Sequence, residues 1–331
     1  MIAPGAVALE PAVAAVRFHG VTRTSTRQRI VVSDRVASAI ADGAPLVALE
    51  STIITHGLPR PENVQAAIAF ERTIVEGGAV PAMIAVLDGV VHIGVEADQL
   101  ERLACAESAL KLSARDLPVA MARGASGGTT VAATALLASR AGIRVFATGG
   151  VGGVHRRANE TFDESADLAM LGSCRITVVS AGVKSILDIQ ATLERLETLS
   201  VTVLVFGTRQ FPAFWVADSG ITVDFSVSSA EEIVAVMRAA DALDRPGGIL
   251  VANPLPEAAQ LDPGVHDRLL AEALDAADAA TLSGKEVTPF LLDYIHDHTE
   301  GTSVDVNLEI VRRNCRLAAD IAQCWSTSSR P

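Results

Sequence analysis

Three features of this 331-residue chain predict an α/β fold with a mixed, largely parallel central sheet flanked by helices on both faces. Short apolar runs alternate with helical patterns of about ten residues, the rhythm of strand–helix–strand units. The runs are apolar throughout rather than alternating with polar residues, as strands covered on both sides read. One pair of runs is separated only by Asp88-Gly89, which predicts a hairpin and so an antiparallel element in the sheet. With no internal repeat and no long low-complexity linker, residues 31–331 are expected to form a single domain. Residues 1–30 read as a flexible leader: Arg17, Arg23, Arg27 and Arg29 make it basic, which also fits a transit peptide.

Taken in order, Ser33 is placed to cap a helix reaching Asp42, with Val36, Ala37 and Ile40 on one side. Leu46–Leu49 is a strand delivering Glu50 at its end. Pro59 and Pro61 open a helix over 62–76 that Gly77-Gly78 terminates. The runs 81–87 and 90–93 make the hairpin, and a helix is expected from Asp98 to Lys111. Gly124–Thr130 precedes an Ala-rich helix ending at Arg140. Ile143–Ala147 is a strand leading into a second glycine segment, 149–153, then His155-Arg156. A short helix over 165–171, the strand Ile176–Val179, a helix from Asp188 to Leu196 and the strand Val201–Phe206 complete the alternating part. Helices are then expected over 230–240, 265–279, 288–298 and 304–322, with a strand at 249–252. In such sheets ligands gather beyond the carboxyl ends of the strands, where Glu50, the glycine turns and Lys184 fall.

Composition narrows the function. Acidic residues outnumber basic ones 39 to 27, a formal charge of −12, so the chain lacks the cationic footprint of a binder of nucleic-acid polymers. Aromatics make up only 4%, too few for base-stacking platforms. No run reads as a membrane span. The four cysteines have no CxxC spacing, which suits a reducing, cytoplasmic setting and excludes the usual cysteine-rich zinc motifs.

Several residues carry possible chemistry, each with a plainer alternative. The glycine segments with Thr129 and Thr130 at a helix start suit a phosphate or carboxylate, or simply tight turns. Lys184, just beyond an apolar strand, would become an amine nucleophile if desolvated; otherwise it pairs with Asp188 four residues on. Glu50 suits proton transfer if burial raises its pKa, or capping of a backbone turn. Asp163 and Asp167 could share a helical face and hold a hard divalent ion, or simply complement a helix dipole. Lys111 and Arg115 fit phosphate binding or a solvated face. His56 near Glu50 reads as a core or capping histidine.

Nine segments change these odds together: ALESTIITHGLPRPEN (48–63), KLSARDLP (111–118), GGTTVAAT (127–134), VFATGGVGGVHR (145–156), TFDESADL (161–168), AGVKSILD (181–188), FPAFW (211–215), VANPLPE (251–257) and GKEVTPFLL (284–292). In this order the chain resembles the pseudouridine-5′-phosphate glycosidase family. The resemblance implies reversible cleavage of the C–C glycosidic bond of pseudouridine 5′-phosphate to uracil and ribose 5-phosphate, with manganese or another divalent cation as cofactor and a homotrimeric assembly. It makes Lys184 the lysine that forms an imine with C1 of the opened ribose, Glu50 the acid/base and Asp167 the metal ligand. It puts Lys111, Thr130 and His155 on the phosphate side, and Thr148, Ser165 and Asn307 near the base or pocket wall. Glu164, the Asp305-Val306-Asn307 stretch and Val183 depart from the family pattern without removing a proposed catalytic side chain. Two rival readings are imine chemistry at Lys184 on another phosphosugar or C-glycoside, and a non-catalytic phosphosugar sensor.

Overall fold

The computed structural model describes residues 29–282 and 287–328; most of the expected leader, and residues 283–286, which include the first three of the GKEVTPFLL segment, lie outside it. The chain begins with β1 (Ile30–Val32), α1 (Asp34–Ala41), β2 (Leu46–Leu49), the short α2 (Thr52–His56) and α3 (Glu62–Glu76). The hairpin β3 (Val80–Leu87) and β4 (Val90–Ile93) leads to α4 (Ala97–Cys105), β5 (Leu110–Leu112), α5 (Leu117–Arg123), β6 (Gly127–Thr129) and α6 (Val131–Arg140). Next come β7 (Val145–Ala147), α7 (Ala158–Thr161), α8 (Ala166–Ser173), β8 (Thr177–Ser180), α9 (Ile189–Thr198) and β9 (Thr202–Phe206). The chain continues through β10 (Ser226–Val227), α10 (Ala230–Ala242), β11 (Ile249–Ala252), α11 (Pro263–Ala279), α12 (Val287–Asp297) and α13 (Thr302–Thr327).

Nine strands lie in the order β1-β4-β3-β2-β7-β8-β11-β9-β10, with β6 joined to β3 and β5 to β6. From β3 to β10 every neighbouring pair is parallel, while β4 and β6 run antiparallel to β3. The mixed, largely parallel sheet is therefore as expected. Asp88 and Gly89 both take positive φ, the twist a two-residue antiparallel turn needs.

Alternate residues of one strand enter different cores. Leu46 and Ala48 of β2 pack with Val36, Ala133, Leu168, Leu196 and Leu269, while Val47 and Leu49 pack with Phe70, Ile74, Met237, Cys315 and Ala318. Helices α1, α6, α8, α9 and α11 thus cover one face, and α3, α10 and α13 the other. Burying both faces explains why the strands read as unbroken apolar runs. The Ser33 cap forms as expected, accepting from Val36 N–H, and Asp188 caps α9, accepting from Ala191 N–H.

Two local readings differ. The helix expected from Asp98 to Lys111 ends at Cys105, and Lys111 lies on β5. Gly127–Thr129, expected as a loop before a helix, is strand β6, paired with β5 so that Lys111 stands beside Gly128. Glycine is required there by space: a Cβ at Gly128 would lie 2.7 Å from the Ser51 carbonyl oxygen and 2.5 Å from Thr55 Oγ1. That close approach carries Lys111 to the segment that follows Glu50.

Candidate active site

The site forms where β2, β5, β6, β7 and β8 end. Glu50 follows β2, and Ser51 locks that end to β6: its Oγ accepts from Thr129 N–H at 3.0 Å and donates to the Ile84 carbonyl at 2.6 Å. Thr148, directly after β7 and 2% exposed, donates its hydroxyl to Glu50 Oε1. Lys184 lies in the turn after β8. That turn depends on Gly182, whose φ of +82° is a conformation glycine enters without strain, and where a Cβ would press on Phe211 and the Pro212 carbonyl at 3.0 Å. Beyond it the turn is zipped to the second glycine segment: Val151 N–H donates to Gly182 O at 3.0 Å and Lys184 N–H to Val151 O at 3.2 Å. Asp188 caps α9, so its carboxylate serves the helix start rather than Lys184.

Electrostatics ties these elements into one cleft. Burial pushes the Glu50 carboxyl above its ordinary range; the Lys184 charge and the Thr148 hydroxyl oppose this, Asp167 adds to it, and Lys111 opposes it. Lys111, exposed on β5, lies near enough to feel the charges of Lys184, Glu50 and Asp167. Desolvation there, followed by repulsion from Lys184, lowers its pKa, against the pull of Glu50 and Asp167. His155 is lowered by desolvation; Asp163, with Oδ2 3.7 Å from Nδ1, pulls it back up, and Lys184 and Lys111 push it down. Glu50, His155 and Asp167 thus lie within electrostatic reach of Lys111, and Glu50 and His155 also of Lys184, while Thr148 bonds to Glu50.

The remaining predicted residues take less direct positions. Thr130 stands at the start of α6 with its hydroxyl buried and without a hydrogen-bond partner, a donor suited to a ligand oxygen. Ser165 caps α8, accepting from Asp167 N–H at 3.2 Å. Asn307 on α13 accepts from Trp215 Nε1 at 2.7 Å. It lies one turn before Val311, which lines a niche at Glu50 with Phe70, Thr148 and Gly149.

The metal expectation is corrected. Asp167 Oδ1 accepts from Ala132 N–H and Oδ2 from Gly152 N–H, each at 2.8 Å. Both oxygens of this buried carboxylate are thus occupied in tying α6 to the second glycine segment. Asp163 precedes α8, so the two acids do not share a helical face. Among the described residues, no group of three or more His, Cys, Asp or Glu side chains is arranged to hold a metal ion. The donor set does not fit manganese or another divalent cation as a resident cofactor. It also follows that the carboxylate suited to the start of α6 is the protein's own Asp167.

Sequence reasoning missed two of the groups behind the site, His266 and Asn314. His266, 3% exposed on α11, reaches Ser185 Oγ through Nε2 at 2.8 Å, and Arg156 donates to the Ile186 carbonyl at 3.3 Å, so the lysine turn is held from two sides. Asn314 on α13 donates to the Thr148 carbonyl at 2.7 Å. Its signal was present in the sequence: a lone amide among Ile310, Val311, Cys315 and Ala318, at the spacing of a buried helical stripe.

Residues 35–324 match the family described as "Indigoidine synthase A like protein". A pseudouridine-5′-phosphate glycosidase from Saccharopolyspora erythraea is 55% identical over 296 residues, covering 89% of this chain and 98% of the relative. The corresponding protein from Streptomyces griseus is 56% identical over 293 residues, covering 88% and 91%. The chain belongs to the pseudouridine-5′-phosphate glycosidase family. Among solved structures, a prealnumycin C-glycosynthase in complex with ribulose 5-phosphate superposes on this glycosidase-family chain with a TM-score of 0.85. It is 34% identical, with 91% of this chain and 98% of that one covered. An indigoidine-synthase-A-like protein from Thermotoga maritima gives a TM-score of 0.82 at 33% identity, covering 93% and 100%.

Proposed function

We propose that this protein is a pseudouridine-5′-phosphate glycosidase that reversibly splits the C–C glycosidic bond to uracil and ribose 5-phosphate, with Lys184 as nucleophile and Glu50 as acid/base. The observation that carries the reading is the meeting of a carboxyl whose pKa is raised with two lysines in one cleft. Carbon is a poor leaving group, so the bond needs an electron sink on the sugar and a proton for the base. The Lys184 nitrogen bonds to C1 as the bond from C1 to the ring oxygen breaks and opens the ribose, the oxygen keeping that electron pair and taking the proton the nitrogen gives up. Glu50 donates its proton to the base carbon, which takes the electron pair of the breaking C–C bond, and the nitrogen lone pair forms the iminium. Water then adds to C1 and releases ribose 5-phosphate and the free amine. Two carboxylates alone, the usual glycosidase pair, would provide no such sink. Lys111, with the Thr130 hydroxyl and His155, suits the phosphate end, so that binding there orients the reacting carbon. Thr148, Ser165 and Asn307 are assigned to the base side or pocket wall.

Borohydride trapping with ribose 5-phosphate, followed by peptide mapping, tests the roles. The adduct is expected on Lys184 and absent in Lys184→Ala. Glu50→Ala is expected to keep the adduct and lose glycosidic turnover by about 10²–10⁴-fold, the span of general acid–base catalysis. An adduct on a different lysine overturns the assignment. A second reading, C-glycoside chemistry on a different base, is favoured by the close superposition on the prealnumycin C-glycosynthase. Uracil release from pseudouridine 5′-phosphate decides between them. A homotrimer and a cytoplasmic setting complete the proposal. The four free cysteines are consistent with that setting, and no described helix is long and apolar enough to cross a membrane.

A further inference from the structure

The Glu50 carboxyl receives its hydrogen bond from Thr148, and the Thr148 peptide is itself gripped on both sides. Its N–H donates to Val179 O of β8 at 3.0 Å. Its carbonyl accepts from Asn314 Nδ2 at 2.7 Å, and the same Nδ2 lies 3.4 Å from the Gly149 carbonyl. Asn314 is in turn oriented by Asn253, which follows β11: Asn253 Nδ2 donates to Asn314 Oδ1 at 3.0 Å. The Asn253 N–H donates to Ser180 O at 2.7 Å, where β8 ends. One chain of amides thus joins the carboxyl ends of β7, β8 and β11 to the middle of α13. Asn314 is 1% exposed and Asn253 9%. An unpaired amide at such depth is costly, and an apolar side chain would fill the same stripe without that risk. With its peptide fixed, Thr148 keeps only a stiff, β-branched χ1, so the direction of its hydroxyl follows from the peptide's position.

We propose that Asn314, backed by Asn253, is a positioning residue for the acid/base: it fixes the Thr148 peptide so that the hydroxyl donates to Glu50 Oε1, leaving Oε2 to carry the proton that is transferred. This rests on the assignment of Glu50 as the acid/base. The groups that bear on the Glu50 carboxyl are Thr148 after β7, Lys184 after β8, Lys111 on β5 and Asp167 on α8; of these, Asn314 touches only Thr148.

The test is a double-mutant cycle of Asn314→Ala and Thr148→Val, read by kcat, KM and the pH dependence of kcat, with borohydride trapping at Lys184 as the control for an intact sugar site. Asn314→Ala is expected to lower kcat about 5–10-fold, the worth of one buried hydrogen bond, with KM nearly unchanged. The alkaline limb of the kcat profile should move up, because a bond that favours the carboxylate has been lost. Thr148→Val should do the same, the double variant should lose little more than either single one, and all three should still trap the adduct. Multiplicative losses, or an unmoved alkaline limb, overturn the role of Asn314. If wild-type protein traps nothing at Lys184, or Glu50→Ala turns over normally, the catalytic reading fails independently of Asn314. Should Asn314→Ala not fold, Asn253→Ala, which removes only the outer link, is expected to move the limb in the same direction by less; no movement overturns the proposal.

Discussion

Glu50 combines two demands that pull against each other. Its buried carboxyl has its pKa raised chiefly by desolvation, which keeps the proton available for transfer but makes the ionised form costly in the fold. A group whose folded pKa lies above its unfolded value contributes fully below the unfolded pKa, and that contribution is lost as pH rises through the folded one. Glu50→Gln removes the ionisation, so its melting temperature relative to wild type should climb as pH passes through the raised Glu50 pKa and level off above it. Each unit of upward displacement corresponds to about 1.4 kcal/mol on the alkaline side. A difference that is flat from pH 4 to pH 9 would show that Glu50 titrates normally. Activity should move the other way: with Glu50 as the proposed acid of the cleavage direction, kcat is expected to fall above the same pKa. Replacing Lys111 by Met removes a charge that lowers this pKa, so the alkaline limb of that variant should shift upward.

At the scale of elements, legibility depended on whether a residue's role was local. Glu50 and Lys184 stood out in the sequence because each comes after a strand buried on both faces, Glu50 directly and Lys184 in the turn beyond, and unbroken apolar runs announce such strands. Lys111 was read at the end of a helix because its strand is only Leu110–Leu112, and its partner β6 opens with two glycines that have no strand propensity of their own. The pairing of β5 and β6 is fixed by what packs around Gly128, a tertiary fact absent from any local window. Asp167 was singled out in the sequence as a metal ligand, and its actual task was not legible, since the N–H groups it accepts from belong to residues 132 and 152. That task makes a prediction. Asp167→Asn keeps the shape but offers one carbonyl oxygen to two N–H donors and sets an NH₂ against the other. Urea unfolding should show a loss of about 1.5–3 kcal/mol, the worth of a hydrogen bond to a charged group. A loss under 0.5 kcal/mol would mean that the tie between α6 and the glycine segment is dispensable.

For the whole molecule, the consequential fact is that the site is assembled from strand ends spread across much of the chain. Lys111 arrives on the β5–β6 edge, Glu50 and Thr148 on the neighbouring strands β2 and β7, and Lys184 after β8, the next strand along. A sugar phosphate bound across these ends makes contacts that exist only when the sheet is formed, so it binds the folded chain and not the unfolded one. Such linkage stabilises by RT ln(1 + [L]/Kd), about 2.7 kcal/mol at a hundredfold excess over Kd. Ribose 5-phosphate should therefore raise the melting temperature by several degrees at saturation, since 1 kcal/mol moves a chain of this size by about 2–4 °C. Three variants divide the effect by element. Lys184→Ala forfeits the covalent part but keeps the phosphate-side contacts, so a smaller rise should remain. Lys111→Met should lose most of the rise with ribose 5-phosphate and respond to unphosphorylated ribose as wild type does. Asn314→Ala, whose proposed role concerns the acid and not the sugar, should show the full wild-type rise. A ligand response lost equally in all three would mean that each acts through general loosening of the sheet ends, and the separate roles assigned to them would fall together.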